Sequence, residues 1–92
     1  MNDHSPYFHE IIALMQPTFD AHDFILSFIQ HYPISYFSIL RTAGERVFQA
    51  NALISNYLKN NSAEFEIEYL GKIVSRDIYQ NLSECAQFQK LN

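Results

Sequence analysis

The chain has one cysteine, Cys85, among 92 residues. A single thiol excludes an intramolecular disulfide framework and a Cys-rich zinc site. Only two glycines occur, Gly44 and Gly71, so there is no Gly-rich loop to cradle phosphate. The longest apolar run, Ile11 to Met15, falls far short of the roughly 20 residues that cross a bilayer. The opening Met1-Asn2-Asp3-His4 carries neither a basic region nor an apolar block. No secretory signal is read there, and a cytoplasmic location is expected. Positive charge is also scarce. The formal net charge is −4, and residues 1–40 contain no Lys or Arg.

What is present is apolar and aromatic. Apolar residues make up 48% of the chain, with 8 Phe and 6 Tyr against 3 Pro. That composition builds a core and excludes intrinsic disorder. The length fits one domain, 1–92.

Local signals predict four helices. Ser5-Pro6 opens the first, with Phe8, Ile11, Ile12 and Met15 at helical spacing, and Pro17 stops it. Asp20 caps the second. Phe19 and Phe24 stand at hydrophobic-staple spacing, and Asp23 lies in the first turn, where the helix dipole favours a carboxylate. Phe24, Ile25, Phe28 and Ile29 form its stripe, and Pro33 closes it near His31-Tyr32. Pro33 begins a third helix carrying Tyr36, Phe37, Ile39 and Leu40. Thr42 and Glu45 have the spacing of a capping box for a fourth helix, from about Gly44 to Asn60. Val47, Ala50, Ile54, Tyr57 and Leu58 share its apolar side. Phe48 lies near the polar side instead.

The period then changes. Glu64-Phe65-Glu66-Ile67-Glu68-Tyr69 alternates strictly, as a half-buried strand does. Gly71-Lys72 suits a type II′ hairpin turn into Ile73-Val74-Ser75-Arg76. That register sets Tyr69 opposite Val74 and Ile67 opposite Arg76. The tail has two readings. Ser75 caps a helix running to Leu91, with Ile78, Leu82 and Cys85 on one stripe. Alternatively the strand reaches Tyr79 and a short helix starts at Ser83. The second is preferred because it gives the hairpin a longer return strand.

The fold expected is therefore α+β and mostly α: a helix-turn-helix, a β-hairpin and a short terminal helix. Pro33 to Leu40, the turn Thr42-Ala43-Gly44, and Glu45 to Lys59 followed by Glu64 to Arg76 resemble a winged helix. The resemblance covers about half the chain and rests on architecture. It implies that residues 45–59 stand where a recognition helix reads the major groove, with Gly71-Lys72 at the tip of a wing.

Candidate DNA contacts are Arg46, Gln49, Asn56 and Lys59 on the helix, with Lys72 and Arg76 on the wing. Arg, Gln and Asn can pair bidentately with purine edges. The first reading of function is thus a small non-catalytic binding module directed at duplex DNA. The second is a protein-interaction module, a homodimer in its commonest form, without a nucleic-acid role. It rests on Phe48, which the helical wheel leaves exposed, and on the aromatic count; Tyr7, Phe8 and Tyr79 are the other rings left least buried. Glu45 on the helix and the three strand glutamates also favour it.

Enzymatic chemistry is not expected, and no small-molecule substrate or cofactor is inferred. Cys85 sits beside Glu84 and reads as a buried structural thiol. His4, His9, His22 and His31 include no pair at i, i+3 or i, i+4, so spacing alone points to no metal site.

Overall fold

The computed structural model describes residues 1–91. The elements are α1 (Ser5–Leu14), β1 (Thr18–Asp20), α2 (Ala21–His31), α3 (Pro33–Thr42), α4 (Val47–Asn60), β2 (Ile67–Arg76) and β3 (Leu82–Lys90). The fold is α+β: four helices and a three-stranded antiparallel sheet ordered β1-β3-β2. No helix among the described residues is long and apolar enough to cross a membrane.

The helices form where the sequence supplies both stripe and boundary. A short 3-10 turn, Asn2–His4, leads into α1, so Ser5 and Pro6 lie in its first turn and His4 precedes it. Asp20 caps α2 reciprocally. Its Oδ1 accepts from Asp23 N at 2.8 Å, and its own N–H reaches Asp23 Oδ2 at 3.4 Å. Between α3 and α4 the expected Thr42–Glu45 capping box does not form. Thr42 Oγ1 donates instead to the Ser38 carbonyl, and α4 begins at Val47. Gly44 and Glu45 both take positive φ, 69° and 63°, which turns the chain sharply at this corner.

Phe8 is the centre of the core. It is fully buried, which corrects its assignment to the least-buried rings. Its ring centroid lies 5.1 Å from those of Phe24 and Phe28, 5.7 Å from Tyr57 and 5.9 Å from Phe65. Three helices and the approach to the sheet therefore converge on one side chain. Phe65, Ile67 and Phe88 close the core from the sheet side.

The sheet departs from the sequence expectation in three ways. First, Gly71-Lys72 is not a turn. It lies inside β2, where Leu70 is the extra residue of a bulge between the pairs Tyr69–Phe88 and Gly71–Gln87. Gly71, at φ 112°, allows the chain to pass through it. Second, the hairpin turn is Asp77–Asn81. Asp77 Oδ1 accepts from Tyr79 N and Asn81 N at 2.9 and 3.0 Å, an Asx-type turn held by this buried carboxylate. Third, the expected C-terminal helix from Ser83 is the strand β3. It pairs with β2 along its length and with the three-residue β1. Ile67 faces Lys90 and Arg76 faces Leu82, in place of the Ile67–Arg76 and Tyr69–Val74 pairs.

The bulge decides which side chains share a face. Directly opposed residues of an antiparallel pair lie on the same side. Tyr69, Phe88 and Phe19 are on one side, and beyond the bulge Lys72 joins them opposite Ala86. The other side carries Asp20, Gln87, the pair Ile73–Cys85 and the pair Ser75–Ser83.

Candidate functional site

Residues three and four apart on a helix lie on one face. On α4 this aligns Gln49, Ala52, Asn56 and Lys59, with Arg46 just before the first turn. Arg46, Gln49, Asn56 and Lys59 are all exposed. The stripe from residue 46 to 59 spans about 20 Å at the helical rise.

A cleft of about 260 Å³ lies between α4, the first turn of α2 and the hairpin. Its α4 wall includes Phe48, Asn51, Asn56 and Lys59; Tyr69 and Lys72 enter from β2. Lys59 Nζ lies 4.4 Å from the Tyr69 ring centroid, a cation–π contact that holds the ammonium at the cleft rim. At the other end Phe48 meets Tyr79 of the hairpin turn, with centroids 6.2 Å apart. Asn51 accepts from the Tyr36 hydroxyl at 2.8 Å, tying α4 to α3. Burial, with Tyr79 nearby, pushes the Tyr36 phenol above its ordinary value, so it stays a donor.

Of the six residues named as DNA contacts, the fold brings Asn56, Lys59 and Lys72 to this cleft. Gln49 and Asn56 border a neighbouring depression with Thr42 and Leu53. Arg46 lies at the start of α4. Arg76 is held at the hairpin turn, where its Nη1 donates to the Gln80 carbonyl at 2.8 Å. Among the described residues, no carboxylate lies within ion-pairing distance of Arg46, Lys59, Lys72 or Arg76; the ion pair found is His9–Glu64 at 3.5 Å.

The second feature of the cleft is a polar cluster that spacing alone does not reveal. His22 Nδ1 lies 2.7 Å from Ser75 Oγ, and Nε2 lies 3.3 Å from Ser83 Oγ. Ser75 Oγ is also 3.5 Å from Cys85 Sγ. Asp20 is adjacent, and one polar atom from each of Asp20, His22 and Cys85 lies within 4.8 Å of the other two. Cys85 is half-buried rather than buried: it packs against the edge of the core and borders the cleft. The register explains the assembly: Asp20, Cys85, Ser75 and Ser83 share one side of the sheet, and α2 starts beside it. The one local hint is the Asp20-x-His22 spacing at a helix start, which serves equally as a cap.

Phe48 is 70% exposed, Tyr79 54% and Tyr7 38%, so three of the four rings expected to be least buried are on the surface, Phe8 being the exception. Comparison with known protein families, curated proteins and solved structures finds no match to this chain.

Proposed function

We propose that this chain is a non-catalytic helix-turn-helix module of winged-helix type that binds duplex DNA through α4 and the β2–β3 hairpin. One observation carries the reading. Among the described residues, Arg46 and Lys59 of the exposed α4 stripe and Lys72 of the hairpin lie within 4 Å of no carboxylate, and Lys59 and Lys72 share one cleft, which Asp77 and Glu84 also border. Two helices joined at the Gly44 corner and followed by an antiparallel ribbon supply the matching order of elements. The net charge of −4 makes the local arrangement decisive, since phosphate neutralisation supplies most non-specific affinity. Asp77, a buried acid bordering the cleft, directs its Oδ1 to the backbone of its own turn, and Glu84, exposed on β3, borders the cleft too.

The test is fluorescence anisotropy of a labelled duplex at low salt. Wild type binds, and the Arg46→Ala, Lys59→Ala, Lys72→Ala triple variant loses most of that binding. No binding at low salt, or equal binding by the triple variant, overturns the reading.

A second reading has its own observation. Phe48 and Tyr79 form an exposed aromatic pair at the cleft mouth, and Leu53 on α4 is 41% exposed. Such rings serve as anchors in protein interfaces. A protein-interaction module, a homodimer in its commonest form, would use this surface instead. Sedimentation of wild type against Phe48→Ser at tens of micromolar separates the two: a dimer that Phe48→Ser dissociates favours it, and monomers in both exclude the homodimer.

A further inference from the structure

We propose that Asp20, His22 and Cys85 form a binding site for one divalent transition-metal ion of zinc-like chemistry, at the junction of α2 with the hairpin. The argument starts from the donor set. A carboxylate oxygen, an imidazole nitrogen and a thiol sulfur, each from a different side chain, lie within 4.8 Å of one another. Zinc is borderline-soft and accepts all three donor types at about 2.0–2.3 Å. Tetrahedral bonds of that length set donors roughly 3.3–3.8 Å apart, so the three side chains close by about 1 Å around the ion. Three protein donors leave the fourth position to water from the adjoining cleft.

The surroundings orient each donor. Asp20 Oδ1 is held by Asp23 N, which leaves Oδ2 for the ion. Both nitrogens of His22 face serine hydroxyls, Ser75 on Nδ1 and Ser83 on Nε2. Whichever nitrogen ligates, the other keeps a hydrogen-bonding partner that fixes the ring, as metal-bound imidazoles require. Ser75 Oγ now bridges His22 Nδ1 and Cys85 Sγ, and its hydroxyl turns aside as the ion takes over that link. Asp20 is buried, and His22 and Cys85 are half-buried, so the donors are partly shielded from competing water. Binding uses the thiolate, so the Cys85 proton leaves to solvent. The ion would join the end of β1 and the start of α2 to β3, a cross-link between the helical layer and the ribbon.

Cobalt(II) is the probe, titrated into the full chain under reducing, metal-free conditions. Cys85 is the sole cysteine, so a thiolate-to-cobalt charge-transfer band reports this site alone. We expect that band, with the intense visible bands of a tetrahedral centre, to saturate at one ion per chain and to disappear when zinc displaces cobalt. Cys85→Ser abolishes the charge-transfer band. His22→Gln and Asp20→Asn each weaken cobalt affinity by roughly tenfold or more, since even outer-shell partners are worth that much. Asp20→Asn retains an oxygen to cap α2, so its effect is not a folding defect. No band with wild type overturns the proposal independently of any variant. Wild-type affinity in both Asp20→Asn and His22→Gln overturns it as well, because the thiol would then be binding without the other two.

Discussion

Lys59 of α4 and Tyr69 of β2 meet across the cleft, with the ammonium 4.4 Å from the ring centroid. The contact joins the helix proposed to read DNA to the ribbon behind it. It holds a positive charge at the cleft rim, within 4 Å of no carboxylate among the described residues.

That charge can be counted. Each phosphate-contacting lysine removed lowers the slope of log Kobs against log salt by about 1. Lys59→Gln and Lys72→Gln should each do so. Lys90 provides the contrast: its ammonium donates to the carbonyls of Ala13 and Met15, beside a different depression. Lys90→Gln should leave the slope unchanged. Anisotropy titrations at four salt concentrations measure all three, and a Lys90 effect equal to the others would contradict the assigned surface.

Phe8 and Phe48 should respond oppositely to truncation. Phe8→Ala removes a ring that touches four others and should cost about 3–5 kcal/mol. Small domains have about 5–15 kcal/mol in total, so the variant is left marginal. Phe48 is mostly exposed, and Phe48→Ala should stay within about 0.5 kcal/mol. Urea unfolding followed by circular dichroism compares them.

Gly71 tests the bulge. A Cβ there would meet nothing within 4 Å, so crowding is not the obstacle. The obstacle is φ 112°, where an L side chain strains the backbone by about 1–3 kcal/mol. Gly71→Ala should therefore lower the urea midpoint although space is free. Gly44→Asn should lower it less, because φ 69° lies in the left-handed region that Asn tolerates. Equal midpoints for the two variants would remove the bulge argument.

His4 should make stability depend on pH. Burial, reinforced by the N-terminal ammonium and partly offset by Asp3, holds its imidazole below the ordinary 6.5. Its Nδ1 is buried without a hydrogen-bond partner among the described residues. Between the lowered folded value and 6.5 the unfolded chain binds more protons than the native one. The contribution is full above 6.5 and is lost as pH falls through the folded value. Thermal midpoints followed downward from pH 7 should show this decline, and His4→Gln should flatten it.

The helices were legible because their determinants are local. The Asp20–Asp23 box and the Phe24–Phe28 stripe lie within one or two turns. The strands were legible only in part. Ile67 and Tyr69 show their alternation, but Leu82 to Lys90 is rich in Ser, Glu, Ala, Gln and Lys, and Ile78, Leu82 and Cys85 mimic a helical stripe. Pairing with two neighbours overrides that preference. β1 is too short to show any period, and Gly71 gives the same local signal for a bulge as for a turn. The exposed polar stripe of α4, being helical, could be drawn in advance. The Asp20–His22–Cys85 cluster could not, because it depends on the register between the short β1 and a strand β3 that reads locally as a helix.

The strand order has a consequence for how the chain is made. β1 and β2 never touch as neighbours; each is stitched to β3, which leaves the ribosome after both. The helices that meet at Phe8, α1, α2 and α4, all precede β3 in the chain, whereas β1 and β2 have no sheet partner until it is present. The sheet therefore cannot form without residues 82–90, and a chain deprived of them would present β1 and β2 as two edges with nothing to pair with.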